Sequence, residues 1–351
     1  MAFSEAEAIA FPKVLLHDHL DGGLRPATVF ELADEIGWTL PADTLDDLEA
    51  WFHAGAATKD LPRALAMFEH TCAVMQRADH LERIAAECVA DLAADGVVYA
   101  EVRFAPEQHQ QHGLQLDEVV EAVTAGFRRG EAEASSEICV NTILCAMRTE
   151  DRSLEIAKLV DSMRAWDDKV VAFDLAGAET GFPPSLHAEA LAFARRTQQN
   201  ITIHASEAPD LPLIAEALEY GAHRIGHGVR LQADISFAPD GSIDVSTGLG
   251  PLARHVYDHQ IHLEMAPTCH VHVGAVESFG DHPMVAMLRA GFDIGVNTDN
   301  RLMSGVTASS ELHALSNTFA LTDIERKQLS ANAAMASFAP LEQRRRLVES
   351  L

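Results

Sequence analysis

KVLLHDH (residues 13–19) is the stretch on which the reading of the fold turns. A short apolar run leads into His17, Asp18 and His19, and the run is too short to read as a helix. Side chains on a strand alternate with period two, so His17 and His19 point to the same side. Two imidazoles on one side of one strand make half of a nitrogen-rich metal site.

Working outward, seven further apolar or β-branched segments recur along the chain: GVVYAEVRFA (96–105), CVNTILCAM (139–147), KVVAFDLAG (169–177), NITIHAS (200–206), HRIGHG (223–228), IHLEMAPT (261–268) and FDIGVNTD (292–299). Amphipathic helical patterns fill most of the gaps. HLERIAAECVADLAAD (80–95) stops at Gly96, LDEVVEAVTAGFRRG (116–130) stops at Gly130, and SLHAEALAFARRTQQN (185–200) opens on Ser185 as an N-cap. Eight strands alternating with helices predict a parallel (β/α)8 barrel, with a doubly wound open sheet as the rival. The polar residues favour the barrel. His19, Arg103, Arg148, Gly177, His204, His227, Thr268 and Asp299 fall at or near C-terminal strand ends, the face on which barrel active sites are built.

Composition bounds the rest. The 351 residues are 48% hydrophobic and 23% charged, ordinary for a globular chain, and barrels of this length are routinely one domain, so a single domain over 1–351 is expected. A net charge of −27 disfavours nucleic acid and anionic membranes as partners. Five cysteines without a CxxC pair, an acidic start without a signal-peptide core and the lack of a long apolar run predict a cytoplasmic protein with reduced thiols. Residues 39–79 insert after the first strand and read either as a lid over the barrel mouth or as an extra packed helix. Residues 232–250, rich in Gly, Ser and Asp, read as a surface loop.

The chemistry rests on a combination. A lone histidine near a strand end is more often structural than ligating, and 18 histidines make chance HxH pairs such as His270 and His272 unsurprising. Ligand-type residues at the functional ends of strands one, five, six and eight are another matter. His17, His19, His204 and Asp299 can supply three nitrogens and one oxygen to a zinc ion that keeps a position for water. His227 or Asp299 can take or guide the proton of that water, and Glu207, three residues beyond His204, is placed to act as an acid.

Read in order, HDHLDGG, DLAGAE, HASE, RIGHG and NTDN resemble the adenosine deaminase family of the amidohydrolase superfamily, and the similarity runs through YAEVRFAPE and LEMAPT to NTDNRLMSG, over nearly the whole chain. The resemblance implies a barrel with one zinc per chain that hydrolyses the 6-amino group of adenosine to give inosine and ammonia. By the matching motifs, His17, His19, His204 and Asp299 would bind zinc. Glu207 would protonate ring N1, and His227 would orient the hydroxide and act as base with Asp299. The Gly177 N–H would meet N3, Asp21 would accept the ribose 5′-hydroxyl, and Asn300 would face N7.

The chain departs from the family's usual pattern at three places. Asn300 stands where a second aspartate is usual, Ser206 replaces the glycine of HAGE, and Cys269, His270 and His272 occupy the loop after strand seven. These leave adenine, a modified adenosine and 6-aminodeoxyfutalosine as alternative substrates. The end of strand four offers no lysine for a bridging carbamate, so one metal is expected rather than two. A Schiff-base lyase would need a buried lysine at a functional strand end, and Lys13 and Lys169 sit at strand starts instead. A catalytically dead barrel would be marked by a lost ligand, and none is lost.

Overall fold

The computed structural model describes residues 2–207 and 211–351. Eight strands form one sheet in sequential order: β1 Lys13–His19, β2 Val97–Phe104, β3 Cys139–Met147, β4 Val170–Ala176, β5 Asn200–Ala205, β6 Arg224–His227, β7 His262–Met265 and β8 Ile294–Val296. Every adjacent pair is parallel. The barrel, not the open sheet, is the architecture.

The circle closes between β8 and β1 by an irregular seam. Backbone pairing there is one bridge, Asp18 with Asp299, in which the His19 N–H donates to Asp299 O and the Asp299 N–H donates to His17 O. Just before it, the Asn297 side-chain oxygen accepts the N–H groups of Leu16 and His17 at 2.9 and 3.0 Å. A side chain thus satisfies donors that a longer last strand would have paired.

Helices pack around the sheet, with two departures from the sequence pattern. The helix Leu116–Glu133 runs through Gly130 instead of ending there. A Cβ at Gly126 would come within 2.3 Å of Glu82 O, and one at Gly130 within 2.6 Å of Val89 Cβ. Both glycines let this helix lie close against Ala78–Ala94, so here glycine serves packing rather than termination. Ser185 does not cap its helix. It lies in a 3-10 turn, Pro184–His187, and the α-helix begins at Ala188.

The insertion after β1 folds into helices Leu45–Ala56, Leu61–Ala66 and Phe68–Val74. Ala56, Leu61, Leu65 and Phe68 face the cavity at the C-terminal ends of the strands, so the insertion covers the mouth. The loop over 232–250 is held by two antiparallel bridges, Ile235 with Leu249 and Phe237 with Ile243.

Candidate active site

Beneath the mouth the barrel interior is a charged layer. Glu264 on β7 accepts from Arg103 Nη2 at 2.7 Å and meets His17 Nδ1 at 2.9 Å through one oxygen. Its other oxygen accepts from Arg224 Nε at 2.7 Å and Thr202 Oγ1 at 3.0 Å. Arg103 also donates to Asp174 on β4 at 2.8 Å. All of these side chains are buried, so each charge depends on its partners. The two arginines hold the Glu264 carboxyl far below the ordinary carboxylate range against the opposing cost of burial. This layer is the foundation on which the histidines stand.

His17, His19, His204 and Asp299 come together as the sequence predicts. His19 Nε2 and His204 Nε2 lie 3.1 Å apart. Asp299 Oδ1 is 3.4 Å from both His17 Nε2 and His19 Nε2. His17 Nε2 is buried without a hydrogen-bond partner. Donor atoms about 3.3 Å apart are what tetrahedral zinc with bonds of about 2.0–2.1 Å requires. The donor set fits a metal ion. His227 belongs to the same cluster: His17, His204, His227 and Asp299 place ligand atoms within 4.8 Å of one another.

What stands behind each ring separates them. His17 Nδ1 faces Glu264, and His204 Nδ1 lies 2.9 Å from Asp174 Oδ2. His19 Nδ1 lies 3.6 Å from Asp21 Oδ1. Three rings are therefore backed by carboxylates. His227 Nδ1 instead meets a fourth imidazole, His270 Nε2, at 3.1 Å.

Glu207 faces His227, with Oε2 3.5 Å from Nε2. Burial first, then the neighbouring charges of Asp299 and Glu179, push the Glu207 carboxyl well above the ordinary range, so it holds its proton to higher pH than a free carboxyl does. Burial and the nearby His17 keep His227 well below the usual imidazole value, hence neutral. Asp299 moves the other way: burial opposes its charge, but the surrounding imidazoles hold it ionised. An acid, a neutral imidazole and a carboxylate thus stand around one point.

The backbone at these strand ends is strained. Ser206, His227 and Asp299 hold left-handed conformations with φ of 85°, 69° and 56°, each costing on the order of 1–3 kcal/mol. At Ser206 this explains how a side chain replaces a glycine without blocking the site. Its Oγ accepts the Arg230 N–H at 3.3 Å, its own N–H donates to Glu179 at 3.0 Å, and it lines neither cavity described below.

Two adjoining cavities meet at His19 and Gly177. The smaller, about 50 Å³, reaches Glu207, Cys269, Asp299 and Asn300. The larger, about 540 Å³, reaches Asp21, Trp38, Phe68, Glu69, Gln108 and Met147. Gly177 has φ 98°, which favours glycine, and a Cβ there would meet the Met147 side chain at 3.0 Å. Asn300 Oδ1 is buried without a partner among the described residues and packs so close to Gly22 that a Cβ at Gly22 would lie 2.1 Å from it. Of the loop departures, Cys269 and His272 line the small cavity, whereas His270 sits behind His227. At the opposite strand ends, Lys13 Nζ is held by Phe11 O at 2.7 Å and Lys169 Nζ by Glu131 at 2.6 Å, away from the site.

Asp174, Glu264, Glu179 and His282 escaped the sequence reading. Asp174 and Glu264 carried a signal, since an acid inside an apolar strand must be paired when buried. His282 carried none.

Comparison with known proteins places the chain in a family. The family model described as adenosine deaminase matches residues 12–351. The chain is 48% identical over 345 residues to adenosine deaminase 1 of Streptomyces coelicolor, covering 97% of this chain and 86% of that one. Among solved structures, adenine deaminase from Arthrobacter aurescens superposes with a TM-score of 0.83 at 25% identity, covering 96% of this chain and 97% of that one. The N6-mAMP deaminase of Arabidopsis superposes with a TM-score of 0.82 at 25% identity, covering 98% of this chain and 99% of that one. A barrel whose buried imidazoles and carboxylates fit a metal, matched in sequence from its first strand to its last residue, is an aminohydrolase, and the chain belongs to the adenosine deaminase family.

Proposed function

We propose that this protein, as one domain over 1–351, hydrolyses the 6-amino group of adenosine, and of 2′-deoxyadenosine, to the corresponding 6-oxo nucleoside and ammonia, with one zinc per chain. The observation that carries the zinc reading is the convergence of ring nitrogens of His17, His19 and His204 with Asp299 Oδ1, with Glu264 behind His17 and Asp174 behind His204, because such partners fix a ligating imidazole's tautomer and raise its basicity. Asp299 completes the set as the oxygen donor. His227, backed by an imidazole, is left to face the nucleophile. Bound there, zinc would bring the pKa of water down to about 7 and so supply hydroxide near neutral pH.

The chain's own residues divide the remaining work. Glu207, protonated, gives its proton to ring N1 and makes C6 electron-poor. The hydroxide oxygen adds to C6, with His227 orienting it and acting with Asp299 as the base that takes its proton. The proton so taken passes to N6, the C6–N6 bond breaks, and the amine leaves as ammonia while the C6–O bond becomes a carbonyl. The Gly177 N–H meets N3, Asn300 donates to N7, and Asp21, in the wall of the larger cavity, accepts the 5′-hydroxyl of the sugar. The 48% identity to an adenosine deaminase, against 25% to an adenine deaminase, favours the nucleoside over the free base. Five unpaired cysteines, four of them buried, fit a reducing compartment such as the cytoplasm, and among the described residues no helix is long and apolar enough to cross a membrane. Steady-state ammonia release from adenosine, 2′-deoxyadenosine, adenine and 6-aminodeoxyfutalosine is the test; a higher kcat/KM for adenine than for adenosine would overturn the nucleoside assignment.

A further inference from the structure

His227 heads a row of three buried imidazoles whose hydrogen bonds admit only one arrangement of protons. His227 Nδ1 is 3.1 Å from His270 Nε2, and His270 Nδ1 is 2.9 Å from His282 Nε2. The row ends on a backbone group: the Met284 N–H donates to His282 Nδ1 at 3.2 Å. A backbone N–H can only donate, so His282 Nδ1 must be a bare lone pair. The proton of His282 is then on Nε2 and points at His270 Nδ1, which must accept. The proton of His270 is therefore on Nε2 and points at His227 Nδ1, which must accept in turn. The proton of His227 is left on Nε2, the nitrogen that faces Glu207 and the reacting centre.

The opposite arrangement fails at its end, because a proton on His282 Nδ1 would meet the Met284 N–H. An imidazolium at any of the three places would set two donors against each other or demand a ring with no proton. The geometry supports the row as a unit: the His270 and His282 rings are inclined by only 12°, and His227, His270 and His282 are all buried. Among the described residues His227 Nε2 has no hydrogen-bond partner, so its N–H is available to the site.

We infer that His270 and His282 are positioning residues that lock His227 with its proton on Nε2, so that His227 meets the attacking oxygen as a hydrogen-bond donor and not as a proton acceptor. The inference rests on the deaminase reading of the same site, and it narrows that reading: acceptance of the nucleophile's proton falls to Asp299 alone. A donor on His227 holds the oxygen by one lone pair while another is aimed at C6. It also sets an N–H beside that oxygen as it yields its proton to Asp299 and takes on negative charge, the arrangement that gives electrostatic catalysis its effect.

Heteronuclear NMR of the histidine ring nitrogens in the zinc-loaded protein reads the proton positions directly, with signals assigned by their loss in His270→Leu and His282→Gln. All three rings should be protonated at Nε2 and bare at Nδ1. In kinetics on adenosine, His270→Leu should lower kcat about 10–100-fold, the usual scale for removing a group that orients an active-site histidine, with KM and zinc content unchanged. His270→Gln, whose amide N–H can still reach His227 Nδ1, should recover most of that loss. A proton found on His227 Nδ1, or wild-type kcat in His270→Leu, overturns the lock. If the variants fold poorly, the ring protons of the unaltered protein still decide. Failure of the deaminase reading looks different: the wild-type protein would release no ammonia from adenosine, whatever its ring protons show.

Discussion

Cys269 Sγ lies 2.8 Å from Asp299 Oδ2, while the other oxygen of that carboxylate faces His17 and His19. A thiol donor on one oxygen leaves the other free for a metal and fixes the plane of the carboxylate between them. Burial and the charge of Asp299 push the thiol's pKa well up, so Cys269 keeps the proton it donates. Cys269→Ser should retain kcat within a few-fold. Cys269→Ala, which removes the donor, should lower it by up to about tenfold, the scale of a modest hydrogen bond to a charged group. Parallel kinetics of the two variants check this; equal losses would mean that the contact orients nothing.

Asp174 supports both Arg103 and His204. Asp174→Asn keeps the shape and loses the charge, so zinc affinity should fall about 10–100-fold. Zinc content by elemental analysis, before and after graded chelation, reads this out. The unaltered protein should carry one zinc, chelation should abolish activity and added zinc should restore it. His17→Ala should retain neither metal nor activity.

Glu207→Gln should keep its zinc and lose about 10²–10⁴ in kcat, the usual contribution of a positioned proton donor. A carboxyl group whose pKa is raised keeps its proton to higher pH than a free one and loses it as pH climbs through the raised value. The wild-type kcat should therefore decline on the alkaline side, and the residual activity of Glu207→Gln should lack that decline. A variant that loses its metal but regains full activity on reconstitution would remove Glu207 from the acid role.

Asp21→Ala should reduce kcat/KM for adenosine by about 1–3 kcal/mol and barely change any slow turnover of adenine, which has no sugar. Asp21 also stands 3.6 Å behind His19, and the two roles separate by experiment. If the variant loses zinc and falls equally on both substrates, Asp21 acts through His19 and not on the ribose.

The larger cavity has Asp21 and Glu69 in its wall, and among the described residues lining it there is no lysine or arginine. A 5′-phosphate would bring a dianion towards two carboxylates with no cation to receive it. AMP should therefore be turned over at least about a hundredfold less efficiently than adenosine, since unscreened like charges at contact distance cost a few kcal/mol. Comparable kcat/KM values for the two would show that the phosphate finds another route.

The eight strands were legible because parallel strands buried on both faces read as short apolar runs. The gathering of His17, His19, His204 and Asp299 was legible because each sits at the C-terminal end of such a run. The end of β8 was not. The segment 292–299 looks uniform, yet the strand stops at Val296 and the Asn297 side chain takes over. Gly130 misled because local propensity speaks of helix ends, whereas the close approach of a second helix is a tertiary fact. His270 looked like a departure bearing on substrate choice. Its part in a row of rings depends on His282 and on one backbone N–H, which no local pattern brings together.

The irregular seam between β8 and β1 has a mechanical consequence. His17 and Asn297, which touch across it, are 280 residues apart in the chain. An ion gripped by His17 and His19 on one side and Asp299 on the other would act as a rivet through the weakest join of the cylinder, closing almost the entire polypeptide into a loop. Cross-links that span long loops stabilise the most in chain-entropy terms, by about 4–5 kcal/mol for loops of a hundred residues or more. Without the rivet, the first rupture on heating should run along this line, with amide exchange at His17, His19 and Asp299 quickening before that of β2 through β5. Catalysis and the integrity of the cylinder would then fail together, from one missing atom.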